Sequence, residues 1–191
     1  MTKAILPSVL SVLLLSATPA LASPQSKPAP IAQQEAAPQL PNRDQIELFR
    51  QAQISLPQVI AAAKNRGAGK LLDVSFDVSN GKPVYQVKTY QNNEVWEVAV
   101  DAQSGHFVDY GTTTPESQLD DEDRAELAGL QQATVTLAQA VDTAEKSIGG
   151  KAMSAGLEET NGKIAYEITV VLKTGAAKQV IVDPTTGQLT G

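Results

Sequence analysis

Two kinds of spacing between apolar residues follow one another along the chain, and the pair occurs twice. The first kind returns every three or four positions, as on one face of a helix, and the second alternates with polar residues, as in a half-buried strand. The helical positions are Leu56, Val59, Ile60 and Ala63, and then Leu137, Ala140, Val141 and Ala144. The alternating positions are Leu72, Val74, Phe76 and Val78, and then Met153, Ala155 and Leu157. The pattern predicts a helix followed by strands, in duplicate.

The two occurrences are copies of one unit. Residues 54–91 align without a gap onto the residues 81 positions later. After one extra residue in the second copy the offset becomes 82, so that residues 98–101 align onto 180–183. A period of this length, with its single slip between two predicted strands, indicates a tandem of small domains rather than a solenoid.

Helix starts and turns carry matching signals in both copies. A hydroxyl residue is followed three positions later by Gln, first at Ser55 and then at Thr136, which is the pattern of a capping box. The glycine-containing stretches 67–69 and 149–150 are expected to end the helices, with Gly69 and Gly150 as helix-end residues. Asn-Gly pairs at 80–81 and 161–162 predict tight hairpins, and a further turn is expected near 91–93.

The fold class predicted for each copy is α+β, with one helix packed on a three- to four-stranded antiparallel sheet. In the first copy the strands are expected near 72–78, 84–90 and 95–101, and a short fourth strand at 106–108. A unit of about 57 residues is close to the lower size limit for a stable core. The two copies are therefore expected to pack together.

The N-terminal 22 residues carry one Lys, an apolar run and then Ala20-Leu21-Ala22, a pattern typical of a secretory signal peptide cleaved after Ala22. An uncleaved anchor is the alternative, although the run is shorter than the roughly 20 apolar residues that span a membrane. Cleavage predicts a periplasmic or secreted protein. The predicted order is signal peptide 1–22, a disordered tether rich in Pro, Ala and Gln at 23–41, a short helix at 42–53, the first repeat at 54–110, an acidic and partly helical connector at 111–133, and the second repeat at 134–191.

The composition of the chain excludes some kinds of chemistry and disfavours some kinds of partner. The chain has no cysteine, which excludes disulfides, thiol catalysis and a lipid-modified cysteine. Its net charge of −6 disfavours nucleic acid and anionic membranes, because phosphate binding needs clustered cations. The acidity is concentrated in the connector, which has six acidic residues and one basic residue. Leu119, Leu127 and Leu130 of the connector are expected to face a domain.

Both copies also share a motif of helix, Gly-Lys, strand, Asn-Gly-Lys, Tyr-x-Val/Ile and Val-Asp-x-x-Ser/Thr-Gly, which resembles the PepSY domain over about 54–109 and 135–191. The resemblance implies a noncatalytic extracytoplasmic module, known in propeptides of thermolysin-like metallopeptidases, where it restrains the peptidase and assists its folding. Two departures are expected to matter: no peptidase domain follows the second copy, and the transmembrane helices of membrane-attached members are missing. The matching residues are Tyr85, Val87, Val100, Asp101 and Gly105, and then Tyr166, Ile168, Val182, Asp183 and Gly187.

Several residues invite a chemical interpretation, and each has a structural alternative. His106 is the one histidine, and a lone histidine beside a turn favours a solvated side chain over a catalytic or metal-binding group. Asp101 and Asp183 recur before a turn that ends in Gly, which favours turn formation over acid–base chemistry. The acidic run at 120–123 lacks the alternation and the glycine of a calcium loop, so a solvated helix start is expected.

The aromatic residues and the Gly-Lys pairs are interpreted in the same way. Tyr85, Tyr166 and Trp96 are expected to pack in the core, with a binding role as the alternative. The Gly-Lys pairs do not complete a phosphate-binding loop. The sequence therefore predicts no catalytic, cofactor-binding or metal-binding residue, and no cofactor.

The function predicted from the sequence is noncatalytic binding of another envelope or secreted protein, such as a peptidase that it modulates or inhibits. The expected mechanism is backbone pairing through an exposed sheet edge or a hairpin tip. The alternative is a carrier that binds a small ligand or a peptide between the two repeats.

Overall fold

A computed structural model describes residues 40–108, 110–160 and 162–190. The predicted signal peptide and nearly all of the predicted tether lie outside the described residues. The elements are α1 (Arg43–Gln51), α2 (Leu56–Asn65), β1 (Lys70–Ser79), β2 (Lys82–Gln91), β3 (Glu94–Asp101), β4 (Thr112–Pro115), a 3-10 turn (Glu116–Gln118), α3 (Asp121–Gln132), α4 (Leu137–Ile148), β5 (Gly150–Thr160), β6 (Lys163–Leu172) and β7 (Ala177–Val182). Among the described residues, no helix has the length and apolarity that a membrane span requires.

Local sequence signals determine where the elements begin and turn. At the starts of α2 and α4, the backbone N–H of Ser55 donates to Gln58 Oε1 at 2.8 Å, and that of Thr136 donates to Gln139 Oε1 at 2.9 Å. The turn between β1 and β2 has positive φ at Asn80 (51°) and Gly81 (75°), as a tight two-residue hairpin requires. These local predictions agree with the structure.

The strands form one antiparallel sheet of seven strands in the order β4-β3-β2-β1-β5-β6-β7. The prediction of α+β is confirmed, but the prediction of two sheets of three or four strands is wrong in size. Strands β1 and β5, the first strands of the two copies, pair with each other and merge the two sheets.

The pairing of β1 with β5 relates the two copies by a local twofold axis. Val74 lies opposite Ala155, and these residues are equivalent in the duplication, since they are 81 positions apart. Asp73 lies opposite Gly156 and Ser75 opposite Ser154. The contact is therefore isologous, like the interface of a twofold dimer. We call α1, α2 and β1–β3 the first half, and α3, α4 and β5–β7 the second half.

Helices α2 and α4 pack on the sheet and touch each other. The buried side chains of both halves belong to one core, which contains Leu56, Val59, Val74, Tyr85 and Val100 from the first half and Leu137, Val141, Ala155, Tyr166 and Val182 from the second. Because neither copy is large enough for a substantial core of its own, merging the sheets lets each half bury apolar surface against the other.

Each half has, besides the single helix predicted for a copy, a second helix outside the copy: α1 lies in the segment predicted as a short helix, and α3 in the connector predicted as partly helical. Phe49 of α1 and Leu130 of α3 are equivalent at the offset of 81, and both are buried. The connector residues Leu119 and Leu127 are buried as well. The duplication was not visible here because few residues of α1 and α3 are identical.

The predicted fourth strand is misplaced. Phe107 forms only an isolated bridge with Val100, and the matching bridge in the second half joins Leu189 to Val182. The fourth strand of the first half is β4, inside the connector, and it pairs with residues Glu94 to Glu97 of β3. Its sequence, Thr-Thr-Thr-Pro, has no alternation of apolar and polar residues from which a strand could be predicted.

Gly69 and Gly150 have a different role from the one predicted. The positive φ values near the helix ends belong to Gly67 (83°) and to Gly149 (74°), which is the C-cap of α4. A Cβ on Gly69 would lie 2.1 Å from the carbonyl oxygen of Tyr90, and one on Gly150 would lie 2.6 Å from that of Val171. These two glycines are needed for close approach to the neighbouring strand.

Two buried tyrosines join the sheet to the helix starts. The hydroxyl of Tyr85 donates to the carbonyl oxygen of Ile54 at 2.9 Å, and that of Tyr166 donates to Val135 at 2.7 Å. Both tyrosine side chains are fully buried. The expectation that they pack in the core agrees with the structure.

Removing either hydroxyl leaves a carbonyl oxygen near the core without its partner. We expect Tyr85→Phe and Tyr166→Phe each to lower the free energy of unfolding by about 1–2 kcal/mol, measured by urea denaturation. Tyr110→Phe is the control, because Tyr110 is 92% exposed, and it should change stability by less than about 0.5 kcal/mol. Equal stability of all three variants would contradict this role of the two hydroxyls.

Candidate functional site

The recurring aspartates build turns. The carboxylate of Asp101 accepts from the backbone N–H of Ser104 at 2.7 Å and of Gln103 at 3.1 Å. That of Asp183 accepts from Thr186 at 2.7 Å and from Thr185 at 2.8 Å. Hydrogen bonds from the Ser104 hydroxyl and from backbone N–H groups lower the pKa of Asp101, and backbone N–H groups lower the pKa of Asp183. Both aspartates are thus held as ionised turn residues, and they lie at the ends of different strands, β3 and β7.

The other chemical candidates are also placed by the fold. His106 is exposed in the turn after β3, and its backbone carbonyl accepts from the N–H of Asp101 at 2.8 Å. The indole N–H of Trp96 donates to the carbonyl of Tyr110 at 3.0 Å, and its ring stacks on Phe107 with centroids 6.2 Å apart. The guanidinium of Arg66 lies 4.2 Å from the Phe107 ring centroid. His106 and Asp101 thus share one turn, joined there through the backbone, whereas Asp183 lies in the corresponding turn of the second half.

The acidic run at the start of α3 is only partly solvated. Asp120 caps the helix by accepting from the N–H of Asp123 at 2.9 Å. Asp123 forms an ion pair with Lys88 of β2, and Glu126 accepts from the same ammonium group at 3.0 Å. Burial alone would lower the pKa of Lys88, but the bonds to Asp123 and Glu126 outweigh it and raise that pKa. This contact ties α3 of the second half to a strand of the first.

More carboxyl groups surround this ion pair than Lys88 can neutralise. Burial raises the pKa of Asp73 to about 7, with a smaller contribution from Glu126, although a bond from the Ser75 hydroxyl opposes the shift. Burial also raises the pKa of Glu158 to about 7, with repulsion from Glu126 and Asp73 adding to it. We call Asp73, Lys88, Asp123, Glu126 and Glu158 the seam cluster, since it lies where the two halves meet.

Part of this region has the spacing of a metal site. Glu122, Glu126 and Glu158 each offer a carboxylate oxygen within 4.8 Å of the others, and oxygen ligands suit hard divalent cations. Glu126 already accepts from the Lys88 ammonium group, so a cation at this position would compete with Lys88. The geometry therefore favours an internal ion pair.

A cleft opens between the halves, and none of the seam cluster residues lines it. It has a volume of about 630 Å³ and is lined by parts of α1, α2, α4, β5 and β6. Its apolar lining includes Phe49, Ile54 and Leu172, and its basic residues are Arg50, Lys151 and Lys173. The acidic residue in the lining, Glu145, accepts from the backbone N–H of Ala152 at 2.8 Å. The cleft is thus more basic than the chain as a whole.

The two outer edges of the sheet differ. In the first half, β4 covers residues Glu94 to Glu97 of β3. In the second half, the backbone of residues 188–190 pairs with the end of β7, through Asp183 and Ile181. Within the described ranges no strand pairs with the equivalent residues 176–179, of which Gln179 is exposed. The candidate functional site is this open β7 edge together with the neighbouring basic cleft.

Sequence reasoning expected an exposed sheet edge and a site between the copies, but it named no residue of either. Arg50 and Lys173 belong to no motif, and Lys151 stood out only as part of the Gly-Lys pair that recurs in both copies. Apart from Asp123, which belongs to the acidic run at 120–123, the seam cluster gave no signal, since Asp73, Lys88 and Glu158 are ordinary alternating positions of strands.

Comparison with known proteins identifies the family of both copies. The model of PepSY, the "Peptidase propeptide and YPEB domain", matches residues 53–110 and 134–191, which together are more than half of the chain. The chain belongs to the PepSY family. The resemblance inferred from Tyr85, Asp101 and their counterparts is thereby confirmed. PepSY domains are associated with propeptide-like or regulatory roles toward peptidases, and the family is generally noncatalytic.

Individual relatives of this PepSY protein are distant. A Bacillus subtilis (strain 168) protein named "Uncharacterized protein YkoJ" is 27% identical over 131 residues, which are 68% of each chain. The crystal structure of a "putative lipoprotein" from Clostridium difficile 630 has a TM-score of 0.41 and 19% identity, covering 73% of this chain and 92% of that one. The YpmB protein from Bacillus subtilis has a TM-score of 0.26 and 20% identity, covering 70% and 91%.

The seam cluster predicts a PepSY protein that is more stable in mild acid. The pKa values of Asp73 and Glu158 rise from 3.8 and 4.5 in their ordinary state to about 7 in the folded state. Between about pH 4 and pH 7 the folded chain therefore binds protons that the unfolded chain does not, and stability falls as the pH rises. We expect the free energy of unfolding, measured in urea, to be higher at pH 5 than at pH 8. Asp73→Asn with Glu158→Gln should flatten this dependence, and wild-type stability that is equal or higher at pH 8 would contradict the assignment.

Lys88 is the cation of the seam cluster, so its loss should be costly. Lys88→Met leaves Asp123 and Glu126 half-buried without their counter-ion, and we expect unfolding free energy to drop by about 3 kcal/mol at pH 7. Lys64→Met on the exposed face of α2 is the matched control, with a change below about 0.5 kcal/mol. A Lys88→Met protein as stable as the control would show that the ion pair does not hold the halves together.

Proposed function

We propose that this protein is a noncatalytic, extracytoplasmic binding module that takes an extended segment of another protein onto the open edge of β7. The observation that carries the proposal is internal to the molecule: β4 covers the edge of the first half, and the equivalent edge of the second half has no strand on it within the described residues. The same outer edge of the repeated unit is thus covered in the first half and open in the second.

The backbone groups of this edge can be assigned from the ladder. Ile181 and Asp183 bond outward to residues 188–190, and hydrogen-bonding direction alternates along an antiparallel strand. Gln179 and Ala177 therefore present their N–H and C=O groups to the same open edge. An extended peptide that pairs there gains main-chain hydrogen bonds, as in strand addition to other sheets.

Binding rather than catalysis is supported by the described candidate groups. Asp101 and Asp183 are engaged in turns, His106 is exposed in a loop, and none of the three is among the open residues 176–179. PepSY membership supports a protein partner, and an envelope or secreted peptidase is the finer form of the proposal. An extended segment held at a sheet edge could belong to the peptidase itself or to its substrate. Location in the periplasm or outside the cell rests on the predicted signal peptide and on the family.

A second candidate function is a carrier of a small ligand or peptide. The cleft of about 630 Å³ between the halves favours it, because its volume falls within the range of small-molecule sites. Thermal shift measurements with peptides and envelope metabolites test this function. A screen without any shift would count against it.

The proposed edge has a sharp backbone test. Proline at position 179 removes the outward N–H while leaving the ladder to β6, whereas Gln179→Thr changes the side chain and keeps the N–H. Nonapeptides selected from a random phage library on the wild-type protein should bind Gln179→Thr with similar affinity. We expect them to bind Gln179→Pro at least tenfold more weakly, which corresponds to about 1.4 kcal/mol.

Both variants are first compared with the wild type by urea unfolding, so that lost binding is not lost folding. Selected peptides that bind all three proteins equally would place the binding surface elsewhere. The peptidase form of the proposal is tested separately, with a thermolysin-type peptidase and a micromolar excess of the protein. Unchanged peptidase activity would contradict the proposal that the partner is such a peptidase. It would not affect the proposal of strand addition at β7.

A further inference from the structure

We infer that the segment received by the β7 edge carries an acidic side chain directly after its strand, and that Lys173 and Arg50 bind this carboxylate. This inference rests on the proposed function and adds the chemistry that selects the partner. The template is the connector of the same chain, which already occupies the equivalent edge of the first half.

The connector shows how an acidic residue follows the added strand. Strand β4 runs antiparallel to β3 and ends at Pro115, opposite Glu94. The next residue, Glu116, donates its backbone N–H to the carbonyl of Asn93 at 2.9 Å. Its carboxylate accepts from the hydroxyl of Tyr90 at 2.6 Å and from the amide of Asn93 at 3.1 Å. The acid is thus bound at the turn between β2 and β3.

The equivalent turn of the second half carries a positive charge. Pairing of Val171 with Ala177 corresponds to pairing of Tyr90 with Val95, so residues 173–175 replace the two-residue turn at Asn92 and Asn93. This turn contains the extra residue of the second copy, and it begins with Lys173. In the first half, neutral donors at this turn bind the carboxylate of Glu116. In the second half, the ammonium group of Lys173 lies beside the corresponding position.

Arg50 approaches the same turn from α1. Its Nη1 lies 3.6 Å from the position that a Cβ on Gly175 would take. Arg50 and Lys173 both line the cleft, and neither forms an ion pair among the described residues. In a chain with a net charge of −6, two such cations at one turn are complementary to an acidic segment.

The connector itself supplies the probe. A fluorescent peptide with the sequence of residues 110–118, Tyr-Gly-Thr-Thr-Thr-Pro-Glu-Ser-Gln, is compared with the peptide in which the Glu is replaced by Gln. We expect the Glu peptide to bind the wild-type protein about threefold to fivefold more tightly at low salt, as charge pairs near a surface allow. Salt should reduce this difference, because it screens exposed charges.

Charge reversal identifies the residues that bind the carboxylate. In Arg50→Glu with Lys173→Glu the preference should invert, so that the Gln peptide binds more tightly than the Glu peptide. Lys163→Glu is the matched control, since Lys163 is exposed at the opposite end of β6, and it should retain the wild-type preference.

The outcomes separate the inference from the proposed function. Equal binding of the two peptides by the wild type, with binding lost in Gln179→Pro, would overturn the acidic recognition and leave strand addition standing. Binding that survives in Gln179→Pro would overturn strand addition at β7. A charge preference that persists after reversal of Arg50 and Lys173, or no binding of either peptide at millimolar concentration, would overturn the inference.

Discussion

The pairing of β1 with β5 is the constraint on which the rest of the structure depends. It consists of three residue pairs, centred on Val74 and Ala155, yet it converts two small sheets into one of seven strands. Because equivalent residues face each other, the pairing also fixes where the helices of the two halves meet. Gly156 shows how close this contact is, since a Cβ there would lie 2.5 Å from Oδ2 of Asp73. The single core that covers both halves follows from this approach.

A twofold arrangement of equal copies would leave two equal outer edges, and the connector breaks that equality. It runs along β3 on its way to α3, covers the first edge as β4, and then places Glu116 at the turn between β2 and β3. The same surface of the second half keeps its outward backbone groups and has Lys173 at the matching turn. The duplicated chain thus has one outer sheet edge that its own connector covers, and an equivalent edge that no described strand covers. The protein-binding proposal depends on this asymmetry, because symmetry alone would not select one edge over the other.

The polar groups between the halves have ion pairs and shifted pKa values that their alternating strand positions in the sequence do not indicate. Lys88 pairs with two carboxylates of α3, and burial holds Asp73 and Glu158 partly protonated near neutral pH. In sequence these residues are simply the polar members of alternating strands. Their proximity arises from the β1–β5 pairing and from the path of α3. Local reasoning could not have found the cluster, because α3 and β5 are far along the chain from the β1–β2 hairpin that holds Asp73 and Lys88. The cleft cations Arg50 and Lys173 were missed for the same reason.

Local physics in the sequence determined the caps at Ser55 and Thr136, the hairpin at Asn80 and Gly81, the α+β class and the duplication. The caps and the hairpin depend on residues a few positions apart, whose hydrogen bonds and allowed backbone angles are set before the chain is packed, and the duplication is evident from comparing the sequence with itself. Only the tertiary structure decided that the two sheets are one, that the connector supplies β4, and that Gly69 serves close approach to Tyr90 rather than a helix end. These features depend on residues brought together from distant parts of the chain, and on which edge remains uncovered. The pattern of one copy contains no information about its partner's position, so the candidate binding edge appears only when both copies are assembled.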